Sequence, residues 1–361
     1  MKTALYIATT ALLLLAFQRC ADDTPTEPPP PTQKDTTSHE FIWEVDTLFR
    51  PGTNDPAFFT AKAIYATSAT NVYMVGYSTG LERCWHWDGE EWSVLNLGTA
   101  LGGHIVDVDG LDSSYIVFAS WYHGTHVNTG IITYEDGNIT MLPWPKGDRN
   151  PRTCVHVAAR DEIYLGSVQG VQRYNGTEWE WLLDSTETIG NEFYPQYIHK
   201  FPDGTLELVT IKHADALSNA VQWRWKNEQF VVVDSFPTEI KDYDANRFGY
   251  SIFENEENVL ATGLSSTFLW QEGEWQKILD VGGSLIAGTK DNTFIGWQLS
   301  NFWHYNGSTT KHLWNEMQQQ VPGFRRINAM TFIDSVLFVC GEISPTIRDV
   351  VVLRGRQVKS E

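Results

Sequence analysis

The segment "EIYLGSVQGVQRYNGTEWEWLL" (residues 162–183) decides the fold of this chain. It holds two short β-rich runs separated by glycine, then the turn dipeptide Asn175-Gly176, then a run that carries tryptophan. An Asn-Gly pair between alternating apolar runs is a strong hairpin signal, because the tight primed turns that join antiparallel strands need positive φ. The segment therefore predicts a small antiparallel sheet, which raises the question of whether the unit is repeated.

The same order of apolar strand, aromatic residue, tight turn and second strand recurs along the chain. The copies are "CWHWDGEEWSVL" (84–95), "GIITYEDGNITML" (130–142), "VQRYNGTEWEWL" (171–182), "VQWRWKNEQFVVV" (221–233), "TFLWQEGEWQKIL" (267–279), "NFWHYNGSTTKHLW" (301–314) and "VVLRGRQV" (351–358). Two further strand-like runs precede each hairpin, so each unit predicts four short antiparallel strands. The period of about 35 to 50 residues is typical of propeller blades.

A single four-stranded sheet cannot bury both of its faces, so the units must stack in a ring. The sequence predicts an all-β chain with a single seven-bladed β-propeller. Six or eight blades are the alternatives, because the copy at 196–233 is degenerate. The last copy supplies only a third strand and at most a stub of a fourth. The segment "EFIWEVDTL" (40–48) resembles the outermost strands of other copies. It is predicted to complete the last blade and close the ring.

The composition excludes several classes of protein. The chain has 361 residues, fifteen of them tryptophan, which is enough aromatic surface for a sizeable core. A formal net charge of −19 without a basic stripe argues against a nucleic-acid partner. Cys84, Cys154 and Cys340 stand in apolar runs without metal-ligand spacing and are interpreted as buried small hydrophobes. The alternative is that two of them form one disulfide, for which the sequence indicates no pairing. No cofactor is predicted.

The first residues read as an export signal. Residues 1–20 contain a short apolar stretch that ends at Cys20, the expected site of lipidation; an uncleaved N-terminal anchor is the alternative. Residues 21–38 are rich in proline and threonine and predict an extended tether. The propeller domain is then expected over residues 39–361.

Two resemblances follow from these motifs. "EIYLGSVQGVQRYNGTEW" resembles the repeat of regulator-type propellers in the sensor domains of bacterial two-component systems. "NVYMVGYSTG" with "CWHWDGEEW" is similar to repeats of exported β-propeller lipoproteins of Bacteroidetes-type bacteria, and the arrangement around Cys20 resembles a bacterial lipoprotein signal. These resemblances imply the fold and an exported, lipid-anchored location at the outer membrane or cell surface, and they imply no activity.

Candidate binding residues lie where loops break the period, because loop insertions carry function more often than core positions do. Two loops are enlarged, at 119–130 and 210–220, and connectors before strands add further aromatic and cationic residues. The candidates are Trp121, Tyr122, His123, His126, Trp144, Arg152, Tyr194, Tyr197, His213, Arg247 and Arg326. The pair His123 and His126 is interpreted as solvated rather than metal-binding, so no metal site and no catalytic residue are predicted.

The expected function is that of a cell-envelope, lipid-anchored propeller that binds a glycan or an envelope protein through its loop-bearing face. One alternative is a polysaccharide-acting hydrolase, lyase or glycosyl-transferring enzyme with its site in the central funnel; another is a non-catalytic assembly scaffold. Convergence of Arg247, Arg326 or His104 with an acidic pair at the funnel mouth would favour the enzyme. Asp107 and Asp109 are interpreted as one solvated strand face.

Overall fold

The computed structural model describes residues 37–49, 59–78, 83–97, 104–122, 128–146, 154–184, 194–211, 220–233, 248–255, 258–263, 265–297, 301–343 and 350–358. The signal peptide and the lipidation of Cys20 fall outside these ranges and stay predictions. Among the described residues, no helix combines the length and the apolar character that crossing a membrane requires.

The strands form seven antiparallel sheets of four strands each, here called blades 1 to 7. Blade 1 contains β2 (Phe59–Ser68), β3 (Asn71–Ser78), β4 (Cys84–Trp87) and β5 (Trp92–Val94); blade 2 contains β6 (His104–Asp112), β7 (Tyr115–Tyr122), β8 (Asn128–Glu135) and β9 (Asn138–Met141); blade 3 contains β10 (Cys154–Ala159), β11 (Glu162–Ser167), β12 (Gly170–Tyr174) and β13 (Trp179–Asp184). Blade 4 contains β14 (Tyr194–Lys200), β15 (Leu206–Ile211), β16 (Ala220–Lys226) and β17 (Gln229–Val232); blade 5 contains β18 (Phe248–Glu254), β19 (Val259–Gly263), β20 (Thr267–Gln271) and β21 (Glu274–Leu279). Blade 6 contains β22 (Leu285–Thr289), β23 (Asn292–Gly296), β24 (Phe302–Tyr305) and β25 (Thr310–His312); blade 7 contains β26 (Arg326–Ile333), β27 (Val336–Glu342), β28 (Val350–Gln357) and β1 (Phe41–Thr47). The predicted seven-bladed propeller is confirmed.

The first strands of the blades form a closed ring around the axis. Each contacts the first strands of both neighbours in the order β2, β6, β10, β14, β18, β22, β26 and back to β2. Blade 7 is built from both ends of the chain, because β1 pairs with β28 from Phe41 opposite Gln357 to Thr47 opposite Val351. The predicted closure by an N-terminal strand is confirmed. Thr37, which the sequence assigned to the tether, already bonds to the propeller through its N–H, 3.3 Å from the Asn306 carbonyl oxygen.

The buried apolar side chains form clusters between neighbouring blades, one at each of the seven interfaces. Trp179 packs between blades 2 and 3, Trp275 between blades 4 and 5, and Trp92 between blades 7 and 1. The sequence predicted these repeated tryptophans as packing residues, and this is confirmed. Burying one tryptophan removes roughly 150–250 Å² from water, which is worth about 4–6 kcal/mol and drives the stacking.

The hairpin turns fall into two classes. Asp136 and Gly137 both have positive φ (48° and 84°), as the sequence predicted for a primed turn. At Asn175-Gly176 only the glycine is positive, at 91°, and the turn is longer. There the Asn175 Oδ1 accepts backbone N–H groups of Thr177 and Glu178 at 3.1 and 3.0 Å. The asparagine therefore acts as a side-chain cap rather than as a left-handed residue.

Among the described residues, one element departs from the all-β prediction. A short helix, α1 (Trp314–Gln320), connects blade 6 to blade 7. Its Trp314 and Met317 are buried in the cluster between these two blades, together with Val321 and Phe324 just beyond it. The apolar spacing of three to four residues is the reason the segment is helical, although seven residues are too few for a clear helical period in the sequence.

A buried carboxylate ties blade 4 to blade 5. Glu207 has no exposed surface, and its Oε1 accepts hydrogen bonds from Trp275 Nε1 at 2.8 Å and from the Tyr197 hydroxyl at 3.1 Å. Its Oε2 lies 3.3 Å from Arg224 Nη2. Burial raises the pKa of Glu207, and these donors lower it in part. These hydrogen bonds fix the orientation of blade 5 on blade 4 more specifically than apolar packing does.

The three described cysteines are free and buried. The interpretation of Cys84, Cys154 and Cys340 as buried small hydrophobes is confirmed. Burial raises the pKa of each thiol, so the reactive thiolate is disfavoured.

Candidate functional site

The ring of first strands surrounds a central channel with two different ends. Because consecutive strands of a blade are antiparallel, every first strand starts at the face that carries the blade-to-blade and second-to-third-strand connections, here called the loop face. It ends at the face that carries the remaining turns, here called the hairpin face. Ligands of propellers are expected at these two ends, where the side chains of several blades converge.

Cations and aromatic rings meet at the loop-face end of the channel. Lys62 Nζ lies 4.5 Å from the centroid of the Tyr77 ring, and that ring makes an edge contact with His104 at 4.6 Å. Burial and the charge of Arg326 lower the pKa of Lys62, and Glu342 raises it in part. Lys62 and Arg326 together outweigh the single charge of Glu342, so these three groups carry a net positive charge, which favours an anionic ligand.

Histidines and carboxylates meet further along the channel, towards the hairpin face. Asp109 of β6 contacts His156 of β10, with Oδ2 3.2 Å from Nδ1. His199 of β14 contacts Glu254 of β18, with Nε2 3.4 Å from Oε2. The two imidazole rings are 4.4 Å apart between centroids. We call these four residues the channel cluster; each comes from the first strand of a different blade.

The pKa values of the two histidines of the channel cluster are shifted in opposite directions. Burial lowers the pKa of His156, but the hydrogen bond and charge of Asp109, the charge of Glu254 and the Lys200 backbone outweigh it, so this pKa is raised. Burial and the neighbouring His156 hold the pKa of His199 well below its usual value. Burial raises the pKa of Glu254, opposed in part by His156. The surroundings therefore shift the pKa values of the two imidazoles in opposite directions.

The expectation that Asp107 and Asp109 form a solvated face is wrong. Both carboxylates accept backbone N–H groups of the next blade, Asp107 from Val155 and Asp109 from Val157, each at 2.8 Å. Burial raises the pKa of Asp107 to about 7, against the opposing effect of the Val155 hydrogen bond. The alternation along β6 is real, but in the innermost strand of a blade the shared face turns towards the neighbouring blade.

The predicted loop residues are only partly within the described chain. Trp144 is half exposed and lies beside Gly130. Arg326 begins β26 at the loop face, and Tyr197 is buried inside β14 rather than in a connector. For Trp121, Tyr122 and Tyr194 the structure describes the backbone, which lies in β7 and β14. The candidates outside the described residues are His123, His126, Arg152, His213 and Arg247.

Sequence reasoning missed Lys62, Tyr77 and the channel cluster. Arg326 lies close enough to Lys62 to lower its pKa and stands opposite Glu342 in the β26–β27 ladder, and His104 packs on Tyr77. The carboxylates converge with histidines elsewhere in the channel. The available signal was a histidine or carboxylate on the first strand of four successive copies, which a packed apolar strand does not require.

A pocket of about 380 Å³ opens on the hairpin face between blades 4 and 5. Trp270 lines it and stacks on Phe201 with 3.8 Å between ring centroids. Asn255 and Asn258 add amide groups to the same wall.

The comparisons with known proteins concern the fold. No family model and no curated protein matches the chain. Among solved structures, YCF48 bound to a D1 peptide is similar with a TM-score of 0.59 and 12% identity, over 90% of this chain and 99% of that one. The extracellular domain described as part of a hybrid two-component system from B. thetaiotaomicron has a TM-score of 0.57 and 11% identity, over 86% of this chain and 40% of that one. YCF48 from Cyanidioschyzon merolae has a TM-score of 0.52 and 11% identity, over 86% and 98%. At these identities the likeness shows the propeller fold alone.

Proposed function

We propose that this chain is an exported propeller of the cell envelope that binds a carboxylate-bearing partner at its loop face. The observation that carries the proposal is the placement of Lys62 and Arg326 at the loop-face end of the channel, beside the aromatic rings of Tyr77 and His104. Guanidinium and ammonium groups bind carboxylates through charge-assisted hydrogen bonds, and aromatic rings stack on sugars or side chains. Trp144, half exposed after β9 in the connection between blades 2 and 3, adds an aromatic ring to the loop face.

The carboxylate of such a partner belongs either to a glycan with acidic sugars or to an acidic protein segment. The resemblance to sensor propellers and the peptide-bound neighbour are consistent with a binding role, and both describe other proteins. The proposed chemistry is the same in either case, so the experiment has to separate the sources.

Binding is tested on an array that carries neutral glycans, acidic glycans and acidic peptides, probed with the full chain. Lys62→Gln and Arg326→Gln should each weaken binding to an acidic probe about tenfold, since a hydrogen bond to a charged group is worth about 1.5–3 kcal/mol. Trp144→Ala should weaken a glycan more than a peptide. Lys290→Gln and Arg356→Gln are matched controls that remove the same charge from exposed positions, one on a turn and one on β28. Equal losses in the controls, or wild-type binding by the loop-face variants, would refute the proposal.

We also propose that Cys20 carries a lipid and that residues 21–38 tether the propeller to the outer membrane or cell surface. The support is the apolar stretch before Cys20 and the Pro/Thr-rich segment after it. Metabolic labelling with an alkyne fatty acid should tag the wild type and spare Cys20→Ala; labelling of both, or of neither, would rule out lipidation at this residue.

A further inference from the structure

We infer that the channel cluster binds a divalent transition-metal cation through His156 Nε2, His199 Nε2 and a Glu254 carboxylate oxygen. The three residues lie on the first strands of blades 3, 4 and 5, and the ring of blades brings one ligand atom from each within 4.8 Å of the others. This site is separate from the loop-face surface and does not depend on the function proposed there.

The spacing of the ligand atoms fits a tetrahedral ion. Zinc bonds to histidine nitrogen and carboxylate oxygen are ~2.0–2.2 Å long, so two ligands at the tetrahedral angle are about 3.3–3.5 Å apart. His199 Nε2 and Glu254 Oε2 already lie 3.4 Å apart. His156 completes the group by a side-chain adjustment of roughly an ångström, given the same bond lengths.

Nε2 of His156 and Nε2 of His199 are buried, and neither atom has a hydrogen-bond partner among the described residues. The side chains of His156 and His199 are only 9% and 4% exposed. A buried ring nitrogen without a partner costs free energy, and native structures rarely keep two of them facing one carboxylate. A metal ion between the three side chains satisfies both nitrogens at once.

The surroundings prepare His156 as a ligand. Asp109 Oδ2 lies 3.2 Å from His156 Nδ1 and is itself held by the backbone N–H of Val157. A carboxylate that accepts from the far ring nitrogen fixes the tautomer and directs the Nε2 lone pair towards the metal, as in carboxylate–histidine–zinc arrangements. Asp109 is therefore a positioning residue.

The donor set selects the kind of ion. Two imidazoles favour zinc and the neighbouring transition metals over magnesium or calcium, which prefer oxygen ligands. Two histidines and one glutamate leave the fourth tetrahedral position for water or an exogenous ligand. The Glu254 side chain is 40% exposed, so solvent reaches the site from that side. This metal site was not predicted from the sequence, because His156, His199 and Glu254 come from three blades and form no local ligand motif.

The test uses the full chain without an affinity tag, stripped by a chelator and titrated with Zn²⁺ near neutral pH in a calorimeter. We expect one ion per chain, confirmed by elemental analysis. Glu254→Gln and His199→Gln should each weaken binding at least tenfold, and Asp109→Asn about tenfold or more. Co²⁺ in place of Zn²⁺ should give the visible absorption of a tetrahedral site in the wild type, and this absorption should be lost in His199→Gln.

His86→Gln is the matched control, since His86 is a histidine of blade 1 that bonds to Asn71 and stacks on Tyr73. It should keep wild-type affinity. Glu254 is exposed, so its variant is expected to fold even if a buried histidine variant does not. A folded wild type that takes up no Zn²⁺ would overturn the inference. So would Glu254→Gln binding as tightly as the wild type, or a loss in His86→Gln equal to that in Glu254→Gln.

Discussion

Arg354→Met is expected to lower the free energy of unfolding by about 3 kcal/mol. Arg354 lies on β28, and its Nε and Nη2 donate to Asp46 of β1 at 2.6 and 3.0 Å. Its Nη1 lies 2.7 Å from Glu44 of the same strand. The guanidinium also sits over the ring of Trp87 in blade 1, 4.1 Å from the centroid. One side chain therefore joins the C-terminal strand, the N-terminal strand and the next blade.

The effect is large because the pair is mostly buried. The Arg354 and Asp46 side chains are 12% and 22% exposed. Once the cation is removed, the donor that still bonds to the Asp46 carboxylate among the described residues is the Trp92 indole N–H, at 3.1 Å. An uncompensated charge at low dielectric is costly, whereas loss of a solvated one is not.

Urea unfolding measures the change, and hydrogen exchange locates it. The amides of β1 should exchange faster in Arg354→Met, since Asp46 and Glu44 of this strand lose their ion pairs with β28. The control is Arg173→Met, which breaks the Arg173–Glu180 pair inside blade 3, where both side chains are 40% exposed. That loss should stay below about 1 kcal/mol. Equal losses in the two variants would contradict the role assigned to Arg354.

Stability is also expected to fall as the pH drops from about 6.5 towards 3, with His304 as a main cause. Burial, His39 and Lys311 lower the pKa of His304 to about 3. The unfolded chain takes up a proton near pH 6.5, whereas the folded chain does not until about pH 3, so acid favours the unfolded state. The contribution approaches about 1.4 kcal/mol per pH unit within this window.

The hydrogen bonds around His304 also disfavour its protonated form. Its Nε2 lies 2.6 Å from Asn292 Oδ1, and its Nδ1 lies 2.8 Å from Nδ1 of His39. His39 Nε2 in turn lies 2.9 Å from the Thr309 hydroxyl. When both rings are neutral, these hydrogen bonds can all be made at once: His304 Nε2 donates to Asn292, and His304 Nδ1 accepts from His39. A second proton would place two N–H donors against each other.

Urea unfolding at a series of pH values tests the histidine directly. His304→Gln keeps a donor and an acceptor but does not titrate, so its free energy of unfolding should depend less steeply on pH between 6.5 and 4. The double variant with His39→Gln should be flatter still, because burial and Lys311 also lower the pKa of His39. A slope equal to that of the wild type in both variants would contradict the assignment.

Much of the fold follows from local patterns in the sequence. Turn dipeptides mark most of the hairpins, and a tryptophan near the start of the fourth strand recurs in blades 1, 3 and 5, because these blades bury the same residue type at the same place between neighbours. The similarity of residues 40–48 to outer strands was enough to predict that β1 completes blade 7. The short helix was missed because Trp314 and Met317 span only one turn.

The candidate site was less predictable because it depends on the ring. His156, His199 and Glu254 are distant in sequence and meet only when three first strands line one channel. Asp109 looked like half of a solvated strand face, since alternation alone does not reveal which strand of a blade is innermost. Lys62 carried no motif at all; its position beside Arg326 is a consequence of closure between blades 7 and 1.

Closure by β1 can be tested most directly with a disulfide across the seam. Ile42 and Arg356 are both exposed and stand directly opposite each other in the β1–β28 ladder. Ile42→Cys with Arg356→Cys should form an intramolecular bond on mild oxidation and raise the unfolding temperature, whereas Glu44→Cys with Arg356→Cys, displaced by two residues, should not. Peptide mapping without reductant identifies the bond. A crosslink that forms only between chains, or equally well in the displaced pair, would mean that the N-terminal strand does not complete this ring.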